Sequence, residues 1–291
     1  VFERGGYYTL RQKESWGMVR CHTYVDRPAH MDMLHFDLWW RGLNVFRDCG
    51  SYLYYCPERP DVEHHFKSIA AHNTVELDGK DPLELVSRFL WLPWPKARVL
   101  RHEIGGAGRQ VFEGAHYGYR RPPWNAVHRR LIMALADDVW IVVDDVLGVG
   151  EHEVALRWHM IDVPYEFDAK TGMLRLNTER GTLGVSLASS AQAATTAVVR
   201  GRDDVDRVQG FESPYYAERL PIPTLESIVR GGLPVRWVTV VAPNSAPVVR
   251  RFGVESDVER WRIGAADAAF VLALAPLEAS ASDSFISCEI E

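Results

Sequence analysis

The chain has 291 residues, 47% hydrophobic and 25% charged, a balance that fits a globular protein with a large core and excludes a disordered one. Its formal net charge of −6 lacks the basic excess of a general nucleic-acid binder, so no nucleic-acid partner is expected, and a polyanion would need local basic patches such as Arg120-Arg121 with His128-Arg129-Arg130. There is no run of about eighteen apolar residues, so no membrane insertion is expected.

The chain opens on Val1-Phe-Glu-Arg4 with no signal peptide in view and goes straight into the strand-like Gly6-Tyr-Tyr-Thr-Leu-Arg11, so it reads as a piece of something longer. From His30 to Trp40 the pattern alternates. His30, Asp32, Leu34, Phe36, Leu38 and Trp40 are expected on one strand face, with Met31, Met33, His35, Asp37 and Trp39 on the other. Arg41-Gly42 looks like a hairpin turn into an apolar run that ends at Asp48. The best helical window is short, around Asp61 to Ala70. His72 then opens a third strand, His72 to Gly79.

Farther on, Val139 to Asp144 is a short apolar run with a turn at Gly148-Val-Gly150, and His152 to Met160 is its expected hairpin partner. Further β runs are Thr182 to Leu187, Val235 to Val241 and Ala268 to Leu274, while residues 200–233 read as a long irregular stretch holding Ser213-Pro-Tyr-Tyr216. Many strands, turn-like spacers and few helices predict an all-β fold, a large antiparallel β-sandwich over residues 1–291. None of the four cysteines, Cys21, Cys49, Cys56 and Cys288, forms a C-x-x-C pair; Cys49 and Cys56 are close enough in sequence to bond, and free buried thiols fit equally.

Three segments supply metal-ligand residue types: His30, Asp48 and His72. Two imidazoles and a carboxylate suit zinc, leaving a fourth position for water or substrate. The plainer reading is that a histidine at a strand end is simply hydrogen-bonded and that an aspartate near glycine forms a turn. Gly105-Gly-Ala-Gly108 has no strand–turn–helix frame around it and is no phosphate loop. Asp137-Asp138 and Asp144-Asp145 read as turn and strand-end residues, not as a glycosidase pair.

Several blocks together resemble the C-terminal region of heparinase II/III-like proteins: Gly6 to Arg11, His30-Met-Asp-Met-Leu-His-Phe-Asp-Leu38, Arg47-Asp-Cys-Gly-Ser-Tyr52 and Ala71-His-Asn-Thr-Val-Glu-Leu-Asp-Gly79. His128-Arg-Arg130, Trp140 to Asp145, Gly150-Glu-His152 and Leu156-Arg-Trp-His159 continue the likeness, which is strong over residues 5–160 and thinner beyond. The resemblance implies a polysaccharide lyase, a carbon–oxygen lyase, in which an N-terminal α/α toroid precedes a large sandwich of supersandwich type. It implies that this chain is the sandwich without the toroid. It also implies a zinc ion, structural in role, on the positions that map to His30, Asp48 and His72. The expected partner is an acidic polysaccharide, with heparin-like glycosaminoglycans, alginate-like chains and bacterial exopolysaccharides all open. The expected compartment is periplasmic or secreted.

One departure stands out. The family motif His-x-His-x-Asp places a histidine of the catalytic cleft where this chain has Pro28, and proline has no titratable group. The family's proton-transferring tyrosine lies on the toroid, so the isolated chain is expected to be inactive.

Uronate β-elimination needs the carboxylate neutralised, the C5 proton removed and the leaving oxygen protonated. The catalytic candidates here are Tyr52, Asn73 and Arg88. Tyr52 lies four residues after Asp48, Asn73 beside His72 as a hydrogen-bonding orienter, and Arg88 is a possible carboxylate binder. Tyr117, Tyr119, Arg120 and Trp124 are expected to form a substrate-binding platform in which rings stack on sugars and arginine pairs with acidic groups. His35 is expected to be a satisfied structural histidine. The alternative is a non-catalytic carbohydrate-binding or structural module, in which the metal only ties strands together. A metal-water hydrolase is a third, weaker option.

Overall fold

The computed structural model describes residues 1–87, 90–105, 108–204, 207–255, 258–265, 268–277 and 288–290. Its middle layer is an eight-stranded sheet in the spatial order Tyr165–Asp168, Met173–Thr178, Gly181–Ser189, Val235–Pro243, Trp140–Gly148, Ala126–Ala134, Gln110–His116 and Ala97–Glu103. One face of this sheet is covered by two four-stranded sheets. The first runs Tyr7–Arg11, Ser15–Arg20, Phe36–Trp40 and Leu43–Phe46; the second runs Thr195–Arg200, Pro223–Gly232, Glu151–His159 and Val75–Leu77. A further sheet, led by Val248–Glu255, Val258–Ala265 and Ala268–Leu274, covers the other face. The ladders of these sheets are antiparallel, so the expected all-β sandwich is what the chain forms.

The central strands explain the three layers. Ala126–Ala134 and Trp140–Gly148 are buried at every residue. Ile132, Trp140, Val142 and Trp237 pack on one side with Phe36 and Trp158. Leu131, Met133, Ile141 and Val143 pack on the other with Trp261 and Ile263. A sheet apolar on both faces is stable only when both are covered.

Charges lie inside this layer too. The register sets Arg130 opposite Asp144, and sets Arg129 and Arg236 on either side of Asp145. Arg236 donates from Nε and Nη2 to Asp145 at 2.6 and 2.9 Å and from Nη1 to Glu259 of the outer sheet at 3.1 Å. Asp144 and Asp145 are therefore buried mid-strand ion-pair acceptors, a correction to their reading as strand-end residues. His128, Arg129 and Arg130 are buried as well, which removes them from any surface basic patch.

Other expectations change for identifiable reasons. The strand predicted from His30 begins only at Phe36, because Leu34 is left-handed (φ 56°) and the backbone turns at Asp32–His35. The hairpin at Arg41-Gly42 is present, with both residues at positive φ, the two-residue geometry that suits the strand twist. Glu151–His159 does not pair with Trp140–Gly148, whose two edges are already taken; it crosses to the other layer and pairs with Pro223–Gly232 and Val75–Leu77. The irregular stretch 200–233 ends in that ten-residue strand, with Pro223 as its first residue, where no ladder donor is needed. The helix falls at Pro60–His65, and Cys21, Cys49 and Cys56 are free thiols.

Burial raises the Asp145 carboxyl, but the Arg236 and Arg129 guanidinium groups reverse this and hold it below the usual carboxylate range. Its contribution to stability is therefore present above the unfolded value near pH ~4 and is lost as the pH falls through the lower folded value. Arg236→Met leaves Asp145 with Arg129 alone and Glu259 with Arg251 alone, and the lost charge-assisted hydrogen bonds are expected to cost about 1.5–3 kcal/mol in urea denaturation at pH 7. At pH 3, where the less strongly paired carboxyls begin to protonate, the deficit should be smaller. An equal deficit at both pH values would contradict the assignment.

Candidate functional site

Three segments converge at one end of the sandwich. The first is the loop between Ser15–Arg20 and Phe36–Trp40, anchored by the buried side chains of Met31, Met33 and Leu34. Its left-handed turn at Leu34 swings His35 inward. The second follows Leu43–Phe46 and carries Arg47, Asp48 and Cys49. Here Gly50 sits at φ +78° against Ser213, and a β-carbon on it would lie 2.3 Å from the Ser213 carbonyl oxygen, so glycine is required. The third runs from Pro60–His65 through the single 3₁₀ turn Ile69–Ala71 to His72, Asn73 and Thr74, just before Val75–Leu77.

His72 Nδ1 lies 2.8 Å from Asp48 Oδ2, and His35 Nε2 lies 3.9 Å from the same oxygen and 3.5 Å from Asp37. Ligand atoms of His35, Asp48 and His72 fall within 4.8 Å of one another. His30 stands alongside, its ring 5.5 Å from that of His72 and its Nε2 3.4 Å from Ser51 Oγ. The Asp48 side chain is 39% exposed, so the group opens to solvent on that side. Burial would raise the Asp48 carboxyl, but His72, then His35 and His30, hold it well below the usual range. His30 is pushed down by burial and by His72, and the buried His65 is pushed down by burial to about 3. A site of several imidazoles around one carboxylate has the donor set of a divalent-metal site.

The backbone fixes the tautomer of one histidine. The Asn73 N–H donates to His35 Nδ1 at 2.9 Å. A neutral imidazole that accepts at Nδ1 carries its proton on Nε2, so His35 faces the carboxylates as a donor and not as a metal ligand. His35 and His72 both have an Nε2 that is buried without a hydrogen-bond partner; they differ at Nδ1, which in His72 faces Asp48.

Of the expected catalytic residues, Tyr52 reaches the site's wall. It is half-buried against Phe66 and lines a cavity of about 350 Å³ with Pro28, His30, Ser51, Lys67 and Tyr216. Asn73 is fully buried. Its amide nitrogen donates to the Phe36 and Arg47 carbonyls at 3.0 and 3.2 Å, and its oxygen accepts the His159 N–H at 2.6 Å. It offers no atom to a substrate and acts as a positioning residue. Arg88 lies outside the described residues.

The expected sugar platform divides. Tyr119 and Trp124 are buried edge to face at 5.2 Å, with the Tyr119 hydroxyl donating to the Lys80 carbonyl, so they are core residues. Tyr117 and Arg120 remain on the surface, on a different groove. Sequence reasoning missed the place of His35 at the cluster, because alternation put it on the opposite face. It also missed Tyr216, whose irregular segment joins the site through a bridge from Gly50 to Ser213.

The family model described as heparinase II/III-like, C-terminal, matches residues 1–247. A heparin-sulfate lyase of Bacteroides stercoris is 27% identical over 168 residues, covering 55% of this chain and 22% of that protein. Among solved structures, a heparinase III gene product superimposes with a TM-score of 0.74 at 18% identity, covering 94% of this chain and 41% of its own. The heparan sulfate lyase HepC of Pedobacter heparinus gives 0.73 at 18%, covering 94% and 42%. The chain thus spans about a fifth of the curated relative and two fifths of the solved ones, and the structural likeness concerns the fold.

Removing the Asn73 amide leaves the His159 N–H and two carbonyls without partners. Asn73→Ala is expected to lower stability by about 2–4 kcal/mol, from the loss of several buried hydrogen bonds, read as a shift of the urea midpoint. A loss below about 0.5 kcal/mol would show that these bonds do not hold the segments together.

Proposed function

The chain belongs to the heparinase II/III-like family, whose C-terminal region it carries, and from that premise we propose that it is the β-sandwich part of a polysaccharide lyase that cleaves acidic, uronate-containing chains by β-elimination. The observation that carries this reading is the cavity where Tyr52 and His30 share a wall beside Asp48 and His72. In this reading Lys67 and Arg27, on the same wall, face the uronate carboxylate and stabilise the charge that develops as the C5 proton leaves. Tyr52 is the group placed to move a proton between C5 and the leaving oxygen.

The residues present fit a metal, since ligand atoms of His35, Asp48 and His72 fall within 4.8 Å of one another and the His30 ring stands 5.5 Å from that of His72. We assign the ligands to His30, Asp48 and His72, with His35 behind them as a hydrogen-bond donor. When bound, zinc would tie the three segments together as a structural cross-link. Metal content after dialysis is expected to be near one per chain and to be lost in His30→Ala and His72→Ala. In His35→Ala it should persist, with affinity weakened about 10–100-fold, as for residues that support ligands. Loss in His35→Ala with retention in His30→Ala would make His35 the ligand instead.

A second reading is a metal-tied carbohydrate-binding or structural module without lyase activity. It is favoured by Pro28, which lines the same cavity and has no proton to move. The two are separated by incubating the natural full-length protein with heparan sulfate and following the ultraviolet absorbance of unsaturated uronate ends. The lyase reading expects that absorbance to grow, and Tyr52→Phe to lower kcat by about 10²–10⁴-fold, the range for a lost acid–base group. New reducing ends without absorbance would mean hydrolysis. Neither product would leave the binding module.

A further inference from the structure

A second groove lies next to the cavity, at the edge of the central sheet, and holds Tyr117 and Arg120, the two residues of the expected platform that stay at the surface. It is about 640 Å³ in volume and is formed where the loop before Ala97–Glu103 meets the turn after Gln110–His116. The Tyr117 N–H donates to the Lys96 carbonyl at 2.9 Å and joins the two loops. Lys96, Arg98, Arg120 and Arg121 contribute four cations to the lining, and none of its described residues is acidic. This is a local reversal of a chain whose net charge is −6.

The aromatic groups are placed with the cations. Trp94 is 39% exposed on the groove wall. The Arg120 guanidinium sits 5.8 Å from the Tyr117 ring centre, and that of Arg121 5.7 Å from the centre of the buried Trp124 ring. Arg121 is further steadied by the Pro82 carbonyl and Glu84, each at 3.4 Å. Exposed rings among planar guanidinium groups suit a ligand with apolar sugar faces and anionic substituents.

The groove and the cavity share their dividing wall. Thr23 lines the groove, and Arg27, Pro28 and His30, a few residues later, line the cavity; likewise Trp94 lines the groove and Trp91 the cavity. This wall is held by the hydrogen bonds of Thr23 Oγ1 with the Ala97 backbone at 2.6 and 3.0 Å and by the Tyr24 N–H on the Pro95 carbonyl at 3.2 Å. A single extended chain crossing the wall would touch both.

We propose that this groove is a second contact site for acidic polysaccharide. Lys96, Arg98, Arg120 and Arg121 take its sulfate or carboxylate groups, and Trp94 and Tyr117 take a sugar face. The site lengthens the path of the substrate proposed above and rests on that reading for the identity of the chain. It gives the protein a preference for long, highly charged segments over short ones.

The test is isothermal titration of the protein with a heparin-derived decasaccharide, comparing the wild type with the triple variant Lys96→Ala/Arg98→Ala/Arg120→Ala and with Trp94→Ala. All four positions are exposed, so the fold should be kept, and unchanged thermal unfolding checks this. The triple variant is expected to bind about tenfold or more weakly, a loss of ~1.4 kcal/mol, with a shallower dependence on salt. Trp94→Ala should weaken sugar binding while leaving inorganic polyphosphate binding unchanged. Equal affinity of wild type and triple variant overturns the groove alone. Polyphosphate bound as tightly as the decasaccharide, with Trp94→Ala silent for both, also overturns it, since the groove would then be a charge sink without sugar recognition. A wild type that binds no acidic glycan overturns both this site and the substrate reading. Groove binding without unsaturated products from the full-length protein would sink the lyase reading and leave the groove standing.

Discussion

One buried guanidinium holds the candidate site to the sandwich. Arg130 is fully buried in the central sheet, with its Nε 2.6 Å from Asp144 and its plane against the Trp158 ring. Its Nη1 donates at 2.6 Å to the carbonyls of both Leu34 and Asn73, the residues next to His35 and His72. If the two loops moved away, the buried Nη1 would lose both acceptors while Nε kept Asp144, a cost of about 1.5–3 kcal/mol for each hydrogen bond to a charged group. The position of the histidines is thus tied to a strand in the middle of the fold, and through Asp144 to its neighbour in the sheet.

Asn73 extends this constraint sideways. Through its side chain and backbone it meets the Phe36 and Arg47 carbonyls, the His159 N–H and the His35 ring, so three other segments are tied to one residue. Thr74 adds a bond from its hydroxyl to the Met33 carbonyl at 2.9 Å. The result is a rigid, buried back to the site, with its open face built from Asp48, His30 and Tyr52 on loops. A supported back and an accessible front are what a positioned functional group requires, whether the ligand is a metal or a sugar.

Much of this fold can be read from the amino acids. Central runs such as Trp140 to Val143 are continuously apolar and demand cover on both faces, and Arg41-Gly42 announces its hairpin. The three segments that meet at the site carry His30, Asp48 and His72 in plain view. What alternation could not show was the left-handed residue at Leu34, which turns an apparent strand into a loop and brings His35 to the cluster. Nor could local pattern show that Glu151–His159 crosses between layers, since that depends on which sheet edges are already filled. Asp144 and Asp145 looked like strand-end residues because their arginine partners are distant in sequence. Tyr119 and Trp124 looked like a platform because an aromatic-basic run at a sheet edge has the same composition whether its rings point in or out.

The account turns on which atoms around His72 are free to bind. Diffraction from crystals grown with zinc, collected at the zinc absorption edge, locates the ion without reference to activity. The account predicts one anomalous peak within about 2.0–2.2 Å of ligand atoms of His30, Asp48 and His72, with His35 Nε2 outside that distance. A peak on His35 Nε2, or none in crystals that otherwise reproduce the Arg130 and Asn73 contacts, would contradict it.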